Sequence, residues 1–536
     1  ILIDLTVRVN FAQIDQIAIK MGMDLENDKR IRSGIKYALK LSTNNGHCAV
    51  LYENLIQFVK DLLNVSEVMI ENNIIFLKTK NEIVLEDRKN QEWVYLYNYY
   101  VAEKNVAESL IALDNYLNVK EISNFEKKLK KIEKHSDLEL SEKQREAVIA
   151  VQEHNVCVIT GGPGTGKTTI IKTIIEMYKQ EEKKVVLCAP TGRAAKRMSE
   201  ATGEEAKTLH RLLEIGKTSS DELQNIDPNV EVAPLDADVI IVDEVSMVDI
   251  FLMNYLLQAI YKGTKLVLVG DSNQLPSVGP GNVLKDIIQS ERLTTITLNK
   301  IFRQAAKSKI ILNSHKVNEG ISIFSKDEQN ENEELLEDFF FINETNKLKV
   351  LENIISLCTG RLEKYGNYTF AQNIQVISPT KKGELGTKEL NKSLQQAINP
   401  ESEEKNERKY IDSVFREGDR IMQIKNNYDI YWEKREPTLE MGKGVFNGEY
   451  GTILNIDEVE KKVKIKFDDD KLVWYNFDEL EQIEHSYCIT VHKAQRKRVR
   501  CSYYANSTGC ANVTYSYIAI HCNDKSKKIT YFNWKS

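Results

Sequence analysis

The segment that decides the fold reads Gly161-Gly162-Pro163-Gly164-Thr165-Gly166-Lys167-Thr168-Thr169. It follows an apolar run, Val156–Thr160, and precedes a stretch of helical character, Ile170–Tyr178. A glycine-rich loop between a strand and a helix is the setting of a phosphate-binding loop, where backbone N–H groups and the helix N-terminus surround phosphate oxygens. Lys167 is then placed to reach the β- and γ-phosphates of a nucleoside triphosphate, and Thr168 to ligate Mg²⁺. A chance glycine-rich turn is the alternative, and the flanking strand and helix disfavour it.

Length and composition indicate a multidomain globular protein. The chain has 536 residues, which is too long for one hydrophobic core, with 42% hydrophobic and 28% charged residues. The sequence contains no run of eighteen apolar residues, so no membrane span is predicted. The net charge of −6 leaves nucleic acid open as a partner, because binding needs a local basic groove rather than a basic whole.

The cysteines and the first residues bear on location. Eight cysteines without C-x-x-C spacing argue against a zinc site and a disulfide framework, and favour the reducing cytoplasm. The chain starts at Ile1 rather than Met, so we expect that the natural N-terminus lies upstream. The stretch Ile1–Val7 carries Asp4 and lacks a preceding basic region, which disfavours a signal peptide.

The first part of the chain, residues 1–135, has a mostly helical pattern. Apolar side chains recur there at helical spacing, as in Val106, Leu110, Leu113 and Leu117. The charged run 125–135 is predicted to be a charged helix or linker that presents a solvated face rather than a DNA contact.

From residue 136 to 330, apolar strands alternate with helices, which is typical of a parallel α/β sheet. The predicted strands are 155–160, 184–188, 238–243 and 265–270. A polar stretch, 214–235, interrupts the alternation and is predicted to be an inserted hairpin. A second α/β region opens with Ile374–Ser378. Within it, residues 413–482 consist of short alternating strands between turns, which predict a small β-barrel insert.

Two carboxylates follow the apolar strand that ends at Val242. A carboxylate at a strand's C-terminal end beside a phosphate-binding loop can hold Mg²⁺, and a second one can position the attacking water. Asp243 is therefore predicted to be the metal residue and Glu244 the catalytic base, with an ordinary surface acidic pair as the alternative. Gln274, in a polar loop after another apolar strand, could sense the γ-phosphate, with an ordinary turn as the alternative.

An ordered set of motifs resembles superfamily 1 helicases and, among them, the RecD-like 5′→3′ DNA helicases. The motifs are Gln144, Gly161–Thr169, Ala189–Ala195, Asp243–Ser246, Gly270–Gly279, Phe302–Gln304 and Thr490–Gln495. The N-terminal region resembles the long, stand-alone members of this family, on the segments Arg30–Gly34, Gly46-His47 and Tyr95–Glu103.

The resemblance implies an α/β fold with two RecA-like parallel-sheet motor domains, a mainly helical N-terminal domain and a small SH3-like β-barrel insert. The expected limits are 1–135 for the N-terminal domain, 136–330 for the first motor domain, 331–412 with 483–495 for the second, 413–482 for the barrel, and 496–536 for an aberrant tail. The stretch 214–235 lies where the family places a short hairpin that parts the duplex.

The resemblance also implies roles for single residues. Gln144 would contact the adenine, with a plain surface glutamine as the alternative. Gln274 would couple the γ-phosphate to DNA. Arg303 would be an arginine finger that stabilises transition-state charge, with a helix-end ion pair as the alternative. The single-strand channel would be lined by Pro190, Thr191 and Arg193 in the first motor domain and by Thr490, His492 and Lys493 in the second.

One N-terminal feature departs from the family. Long members have helix-hairpin-helix-like segments with a Gly-Ile-Gly-Phe turn, and the matching place here reads Arg8-Val-Asn-Phe11. Without those glycines a tight turn against a DNA backbone is disfavoured, so we assign no site there.

The segment after Gln495 also departs from the family. The family continues with Gly-Ser-Glu and later with Tyr-Thr-Ala-x-Thr-Arg-Ala-Lys, whose arginine reaches the γ-phosphate. Neither occurs in residues 496–536. Shifting the reading frame by one base, with permitted codons, turns Arg496–Asn506 into GSECDAVIMPI and Tyr515–Lys528 into TRILLYTAMTRAKK. We therefore expect a frameshift at or just after Gln495, and a second motor domain without its final strands and without that arginine.

These patterns lead to an expected function. The chain is expected to be a monomeric cytoplasmic ATP-dependent DNA helicase that uses ATP and Mg²⁺ and acts on single-stranded DNA and single-strand/duplex junctions, with no membrane partner. A DNA-stimulated ATPase or DNA-binding module without productive unwinding is the alternative. The motor part of a conjugative relaxase would need an upstream histidine cluster and nucleophilic tyrosine, which we do not find. A subunit of a multiprotein nuclease complex stays open.

Overall fold

The computed structural model describes residues 11–116, 125–136, 139–215, 228, 232–300, 307–323, 339–342, 344, 346–362, 364, 374–435, 439–494, 501–504 and 529–532. The chain divides into two compact units, residues 1–300 and residues 301–536. Within the described ranges, no helix has the length and apolar character needed to cross a membrane.

The α-helices of the first unit are α1 Phe11–Lys20, α2 Asp28–Asn44, α3 Tyr52–Leu63, α4 Glu67–Thr79, α5 Tyr97–Asp114, α6 Phe125–Ser136, α7 Glu142–Glu153, α8 Lys167–Lys179, α9 Gly192–Thr202, α10 Leu209–Leu212, α11 Ile250–Ala259 and α12 Val283–Ser290, with a 3-10 turn at Val245–Met247. Its strands are β1 Ala49–Leu51, β2 Ile83–Arg88, β3 Gln91–Leu96, β4 Val156–Gly161, β5 Val185–Ala189, β6 Ala206–Thr208, β7 Val239–Val242, β8 Lys265–Gly270 and β9 Thr294–Leu298.

The helices of the second unit are α13 Lys309–Asn318, α14 Lys347–Ser356, α15 Thr387–Ile398 and α16 Val491–Ala494, with a π-helical segment at Leu357–Arg361 and a 3-10 segment at Phe477–Gln482. Its strands are β10 Phe340–Phe341, β11 Ile374–Ser378, β12 Glu407–Tyr410, β13 Ser413–Arg416, β14 Arg420–Gln423, β15 Asn427–Lys434, β16 Glu440–Val445, β17 Tyr450–Asp457, β18 Lys462–Phe467, β19 Leu472–Asn476, β20 Ile483–His485, β21 Cys488–Thr490, β22 Cys501–Tyr504 and β23 Ile529–Phe532.

The predicted parallel sheet is confirmed in the first unit. In the part of the chain that the structure describes, six strands run in the order β6-β5-β7-β8-β4-β9, all parallel. Strands β4, β7 and β8 are buried along their whole length, as expected for a sheet covered by helices on both faces. Their C-terminal ends therefore lie at one edge of the sheet, where parallel α/β folds carry their ligand sites.

One face of this sheet is covered by α7 and α8, and α6 packs against α8. The predicted charged helix is confirmed at 125–135, and the structure adds that its other side is buried. Leu129 and Ile132, spaced three residues apart, are buried, while Lys128 pairs with Glu181 at 2.9 Å. The apolar side is hard to recognise in the sequence because it consists of only two residues, Leu129 and Ile132, among many lysines.

The other face is covered by α11 and α12 together with α5 from the N-terminal region. Four side chains of α5 lie in the same core as the strands: Ala102, Val106, Leu110 and Leu113. The rest of the N-terminal region packs α1 to α4 around its own core and adds a three-stranded antiparallel sheet in the order β1-β3-β2.

The second unit contains a parallel sheet and an antiparallel barrel, as predicted. Among its described strands, the parallel sheet has the order β10-β23-β22-β11-β21 and the antiparallel sheet the order β16-β15-β19-β18-β17-β14-β20. The pairing of β20 with β14 brings a segment that the sequence limits assign to the motor domain into the barrel's sheet. Five residues form a small core shared by the two sheets: Ile377, Met422, Tyr450, Ile489 and Ala494.

The tail differs from expectation in one respect. We expected the second motor domain to lack its final strands, but β22 pairs with β11, and β23 pairs with β22, both in parallel. Both segments are rich in aromatic or β-branched residues, which favour strands. The rest of 496–536, most of the predicted hairpin 214–235, and the segment Phe302–Gln304 lie outside the described residues.

Candidate nucleotide-binding site

The phosphate-binding loop joins β4 to α8, as predicted. Gly164 and Gly166 have φ angles of 77° and 84°, a left-handed conformation that glycine adopts without strain. A Cβ on Gly161 would lie 2.9 Å from the backbone oxygen of Leu298 and 2.8 Å from Thr165 Oγ1, so only glycine fits there. Glycine is therefore needed in this loop, both for the positive φ angles and for the lack of room for a Cβ.

Lys167, the first residue of α8, folds back over the loop. Its Nζ donates to the carbonyl oxygens of Gly161 and Gly162, at 2.5 and 3.1 Å. The Thr165 hydroxyl also donates to the Gly162 oxygen, at 2.9 Å. An ammonium has three N–H donors, so Lys167 keeps one for another acceptor while it holds the loop.

The predicted carboxylate pair follows β7 at the same sheet edge. The Asp243 N–H donates to the Cys188 oxygen of β5 at 2.9 Å, and Asp243 Oδ1 accepts from the Glu244 N–H at 2.8 Å. Glu244 has φ 62° and ψ 43°, a left-handed conformation that costs about 1–3 kcal/mol for a residue other than glycine. Strained residues of this kind cluster at functional sites.

Asp271, just beyond β8, is an ionisable group of the site to which the sequence had not led us to assign a role. Its residue is 2% exposed, and it accepts from the Asn273 N–H at 3.0 Å and from Gln274 Nε2 at 3.3 Å. Burial raises the pKa of the Asp271 carboxyl, and the charge of Glu244 acts in the same direction, whereas Lys167 opposes them. The position of Asp271 at a strand's C-terminal end was the signal available in the sequence.

The Asp271–Gln274 segment is tied to the phosphate-binding strand. The Ser272 N–H donates to Thr160 Oγ1 at 3.2 Å, and Thr160 Oγ1 lies 3.4 Å from Ser272 Oγ. This bond joins the ends of β4 and β8. The structure therefore brings Lys167 and Gln274, predicted from separate motifs, to neighbouring loops.

Gln144 is buried rather than on the surface. It closes a capping box at the start of α7, where its Oε1 accepts from the Ser141 N–H at 3.0 Å. Its Nε2 donates to the Thr165 oxygen at 3.3 Å, so its amide reaches the phosphate-binding loop. The amide keeps one hydrogen and one lone pair for a base, and its contact with adenine stays a prediction.

A divalent cation fits the donors at this edge. Hard cations such as Mg²⁺ prefer carboxylate and hydroxyl oxygens, which Asp243 and Thr168 supply.

The predicted DNA contacts lie at strand ends. Pro190, Thr191 and Arg193 follow β5, beside β7, and the Thr191 hydroxyl caps α9 by accepting from the Ala194 N–H at 3.4 Å. In the second unit, Thr490 ends β21 and accepts from the Lys493 N–H at 3.4 Å, while Lys493 Nζ pairs with Glu484.

The structure describes only the backbone of one predicted site residue and nothing of another. His492 lies on α16, with its side chain outside the described atoms, and Arg303 lies outside the described residues. The roles given to the DNA contacts and to Arg303 stay predictions.

Three segments match known domain families. Residues 144–280 match the AAA domain, residues 390–467 the SH3 domain of ATP-dependent RecD-like DNA helicases, and residues 1–49 the HHH domain of ATP-dependent RecD2 DNA helicases. The last match covers α1 and α2, so this region is similar to the family's HHH domain although Arg8-Val-Asn-Phe11 lacks the glycines of the family's turn.

The RecBCD enzyme subunit RecD of Buchnera aphidicola subsp. Schizaphis graminum is 30% identical over 471 residues, which cover 75% of this chain and 73% of that protein. The chain belongs to the RecD-like helicase family. The ATP-dependent RecD2 DNA helicase of Deinococcus radiodurans is 33% identical to this RecD-like chain over 356 residues. That match covers 66% of this chain and 44% of the relative. The chain therefore spans less than half of the length of that relative. A Bacteroides Pif1 helicase solved with ADP-AlF3 and single-stranded DNA is 16% identical, with a TM-score of 0.41 over 74% of this chain and 94% of that one.

Proposed function

We propose that this RecD-like chain is an ATP-dependent DNA helicase that moves 5′→3′ along single-stranded DNA and unwinds duplexes at junctions. The observation that carries the proposal is the meeting of Lys167 with the Asp243-Glu244 pair and Gln274 at one sheet edge. A chain of the RecD-like family with that arrangement has the parts needed to hydrolyse ATP and to link hydrolysis to movement. We further propose that it acts as a cytoplasmic monomer.

The residues at the sheet edge divide the work of hydrolysis. Lys167 exchanges its carbonyl partners for the β- and γ-phosphates, and Glu244 accepts a proton from the attacking water. Thr168 and Asp243 would hold Mg²⁺, which would supply positive charge against the phosphates. Arg303 adds positive charge in the transition state.

Movement along DNA needs two sets of contacts that alternate in strength. Thr191 and Arg193 serve the first motor domain, and Thr490, His492 and Lys493 the second. Such groups hold the sugar–phosphate backbone without reading sequence.

The test compares ATP hydrolysis with and without single-stranded DNA, and unwinding of substrates with a 5′ or a 3′ tail. We expect DNA to stimulate hydrolysis, and only the 5′-tailed duplex to be unwound. Lys167→Ala should lower ATP turnover by about a hundredfold or more. Lys172→Ala, on the exposed side of the same helix, is the matched control and should leave turnover unchanged. Equal loss in both variants, or no DNA stimulation, would contradict the proposal.

A second candidate is a DNA-stimulated ATPase without productive unwinding. The observation that favours it is the absence of both family segments after Gln495. Stimulated hydrolysis without unwinding would identify this form. Restoring the alternative frame in the gene should then restore unwinding, and a coding sequence incompatible with that frame would exclude a frameshift.

A further inference from the structure

The segment 271–282, here called the sensor loop, starts at the nucleotide site and closes on itself. Its start is joined to the phosphate-binding strand by the bond from the Ser272 N–H to Thr160 Oγ1. Further along, Ser277 is buried, and its hydroxyl lies 2.7 and 2.9 Å from two carbonyl oxygens of its own loop. Such side-chain-to-backbone bonds give a loop one preferred shape.

A second anchor comes from the start of α11, shortly after the catalytic carboxylates. The Ile250 N–H donates to the Pro280 oxygen at 3.0 Å. Asp249, which caps α11 by accepting from the Leu252 N–H at 2.8 Å, lies so close to Gly279 that a Cβ there would be 2.2 Å from its Oδ2. The middle of the sensor loop therefore has little room to shift relative to α11.

The third anchor comes from the N-terminal region. The Gly281 N–H donates to the Gly46 oxygen at 3.0 Å, and a Cβ on Gly281 would lie 3.5 Å from Cys48 Sγ. Tyr99 of α5 packs edge-on against Phe251 of α11, with ring centroids 4.9 Å apart. The N-terminal region thus contacts both the sensor loop and α11.

We propose that the Gly46 carbonyl is a positioning group that holds the sensor loop in the shape needed for ATP hydrolysis. The N-terminal region then sets the turnover rate at the phosphate-binding loop. This inference rests on the proposed function, in which Gln274 responds to the γ-phosphate. The first two anchors belong to the nucleotide-binding domain itself, whereas Gly46 can be moved without touching a residue of the site.

The perturbation is Gly46→Ala. Gly46 has φ 90°, which alanine disfavours, and a Cβ there would meet no atom within 4 Å, so the change acts on the backbone rather than by a clash. Gly22→Ala is the matched control, because Gly22 has the same φ and the same free space in the turn between α1 and α2. Gly46→Asn is the conservative variant, since asparagine tolerates left-handed backbone better than alanine does.

The kinetic measurement separates positioning from binding. We expect Gly46→Ala to lower kcat for ATP about fivefold, with KM and the affinity for a fluorescent ATP analogue changed by less than about twofold. Gly22→Ala should match the unchanged chain, and Gly46→Asn should recover most of kcat. A general loss of structure would instead lower nucleotide affinity as well, which would overturn the positioning role.

Hydrogen exchange of the peptide that covers residues 275–284 tests the contact itself. We expect faster exchange in Gly46→Ala than in Gly22→Ala, with or without nucleotide, because the Gly281 N–H loses its acceptor. Equal exchange in the two variants, or faster exchange with unchanged kcat, would overturn the positioning role alone. An unchanged chain without ATPase activity would overturn the proposed function and the effect on rate together, while the exchange result would still decide whether Gly46 holds the loop.

Discussion

Asp419 joins the barrel to the second parallel sheet through a buried hydrogen-bond network. Its residue is fully buried, and five donors lie 2.6–3.1 Å from its carboxylate. The donors are the backbone N–H of Arg416 and the side chains of Gln395, Asn399, His485 and Tyr487. Because Gln395 belongs to α15 and His485 to β20, the carboxylate holds together segments distant in sequence.

These donors also determine the protonation of Asp419. Burial by itself would raise the pKa of the Asp419 carboxyl, but hydrogen bonds and charge from His485, with bonds from Asn399 and Tyr487, hold the pKa below its ordinary value. The ionised carboxylate therefore stabilises the fold above the unfolded-state pKa of about 3.9. That contribution is lost as the pH falls below this value and through the folded-state pKa.

Asp419→Asn replaces one acceptor oxygen by a donor. Oδ1 accepts from two groups and Oδ2 from three, so whichever oxygen is lost leaves buried donors facing an N–H₂ group. Each buried donor without an acceptor costs about 1–3 kcal/mol. We therefore expect the free energy of unfolding of the second unit to fall by about 3 kcal/mol, within the range of about 3–5 kcal/mol for breaking a buried pair.

Urea unfolding followed by tryptophan fluorescence measures this change, because Trp432 and Trp474 both lie on barrel strands. Asp470→Asn is the matched control: Asp470 forms an exposed pair with Lys466 at 3.0 Å, worth at most about 1 kcal/mol. Equal destabilisation by the two variants, or a loss below about 1 kcal/mol for Asp419→Asn, would refute the network's role.

Three further predictions concern the first unit. Gly161→Ala should lower the affinity for a fluorescent ATP analogue at least about tenfold, because its Cβ would lie 2.9 Å from the Leu298 backbone oxygen. Glu244→Gln should bind that analogue normally in filter binding but hydrolyse ATP about 10²–10⁴-fold more slowly, since a proton acceptor is removed. Burial, with a smaller contribution from nearby acidic charge, raises the pKa of Cys48 and Cys157 to about 12. At pH 8 iodoacetamide should therefore leave both thiols intact in folded protein and modify them in urea, as read by peptide mapping, with reactivity rising as the pH rises.

Local pattern was sufficient for the parts of the fold that repeat a short rule. The strands before Gly161 and at Ile374–Ser378 were predictable because a strand buried on both faces of a parallel sheet is mostly apolar. The helix after the glycine loop was predictable because such a loop joins a strand to a helix. The barrel was predictable because alternation and turns recur at short intervals. Asp243 and Glu244 followed from their place at a strand's end.

Packing partners and backbone strain could not be predicted from local sequence patterns. The helical spacing of α5 gave an apolar face but not the sheet that receives it. The left-handed conformation of Glu244 depends on the 3-10 turn that follows, and Asp419 stands in no motif because its donors come from distant segments. Gln144 is the exception: the Ser141-x-x-Gln144 spacing is a capping-box pattern that could have predicted its bond to the Ser141 N–H.

The placement of α5 changes how the nucleotide site should be viewed. Val106, Leu110 and Leu113 share one core with Ile240 and Val242 of β7, the strand that presents Asp243. Burying a side chain of this size contributes about 1.5–3 kcal/mol, so the three together amount to roughly 5–9 kcal/mol, comparable with the whole stability of an ordinary domain. Helix α5 is therefore part of the support of the strand that precedes Asp243, whereas α1 to α4 pack around a core of their own. A change in the packing of α5 can therefore shift β7 and Asp243 directly. A change at Gly46 can likewise shift the sensor loop, through the hydrogen bond from the Gly281 N–H.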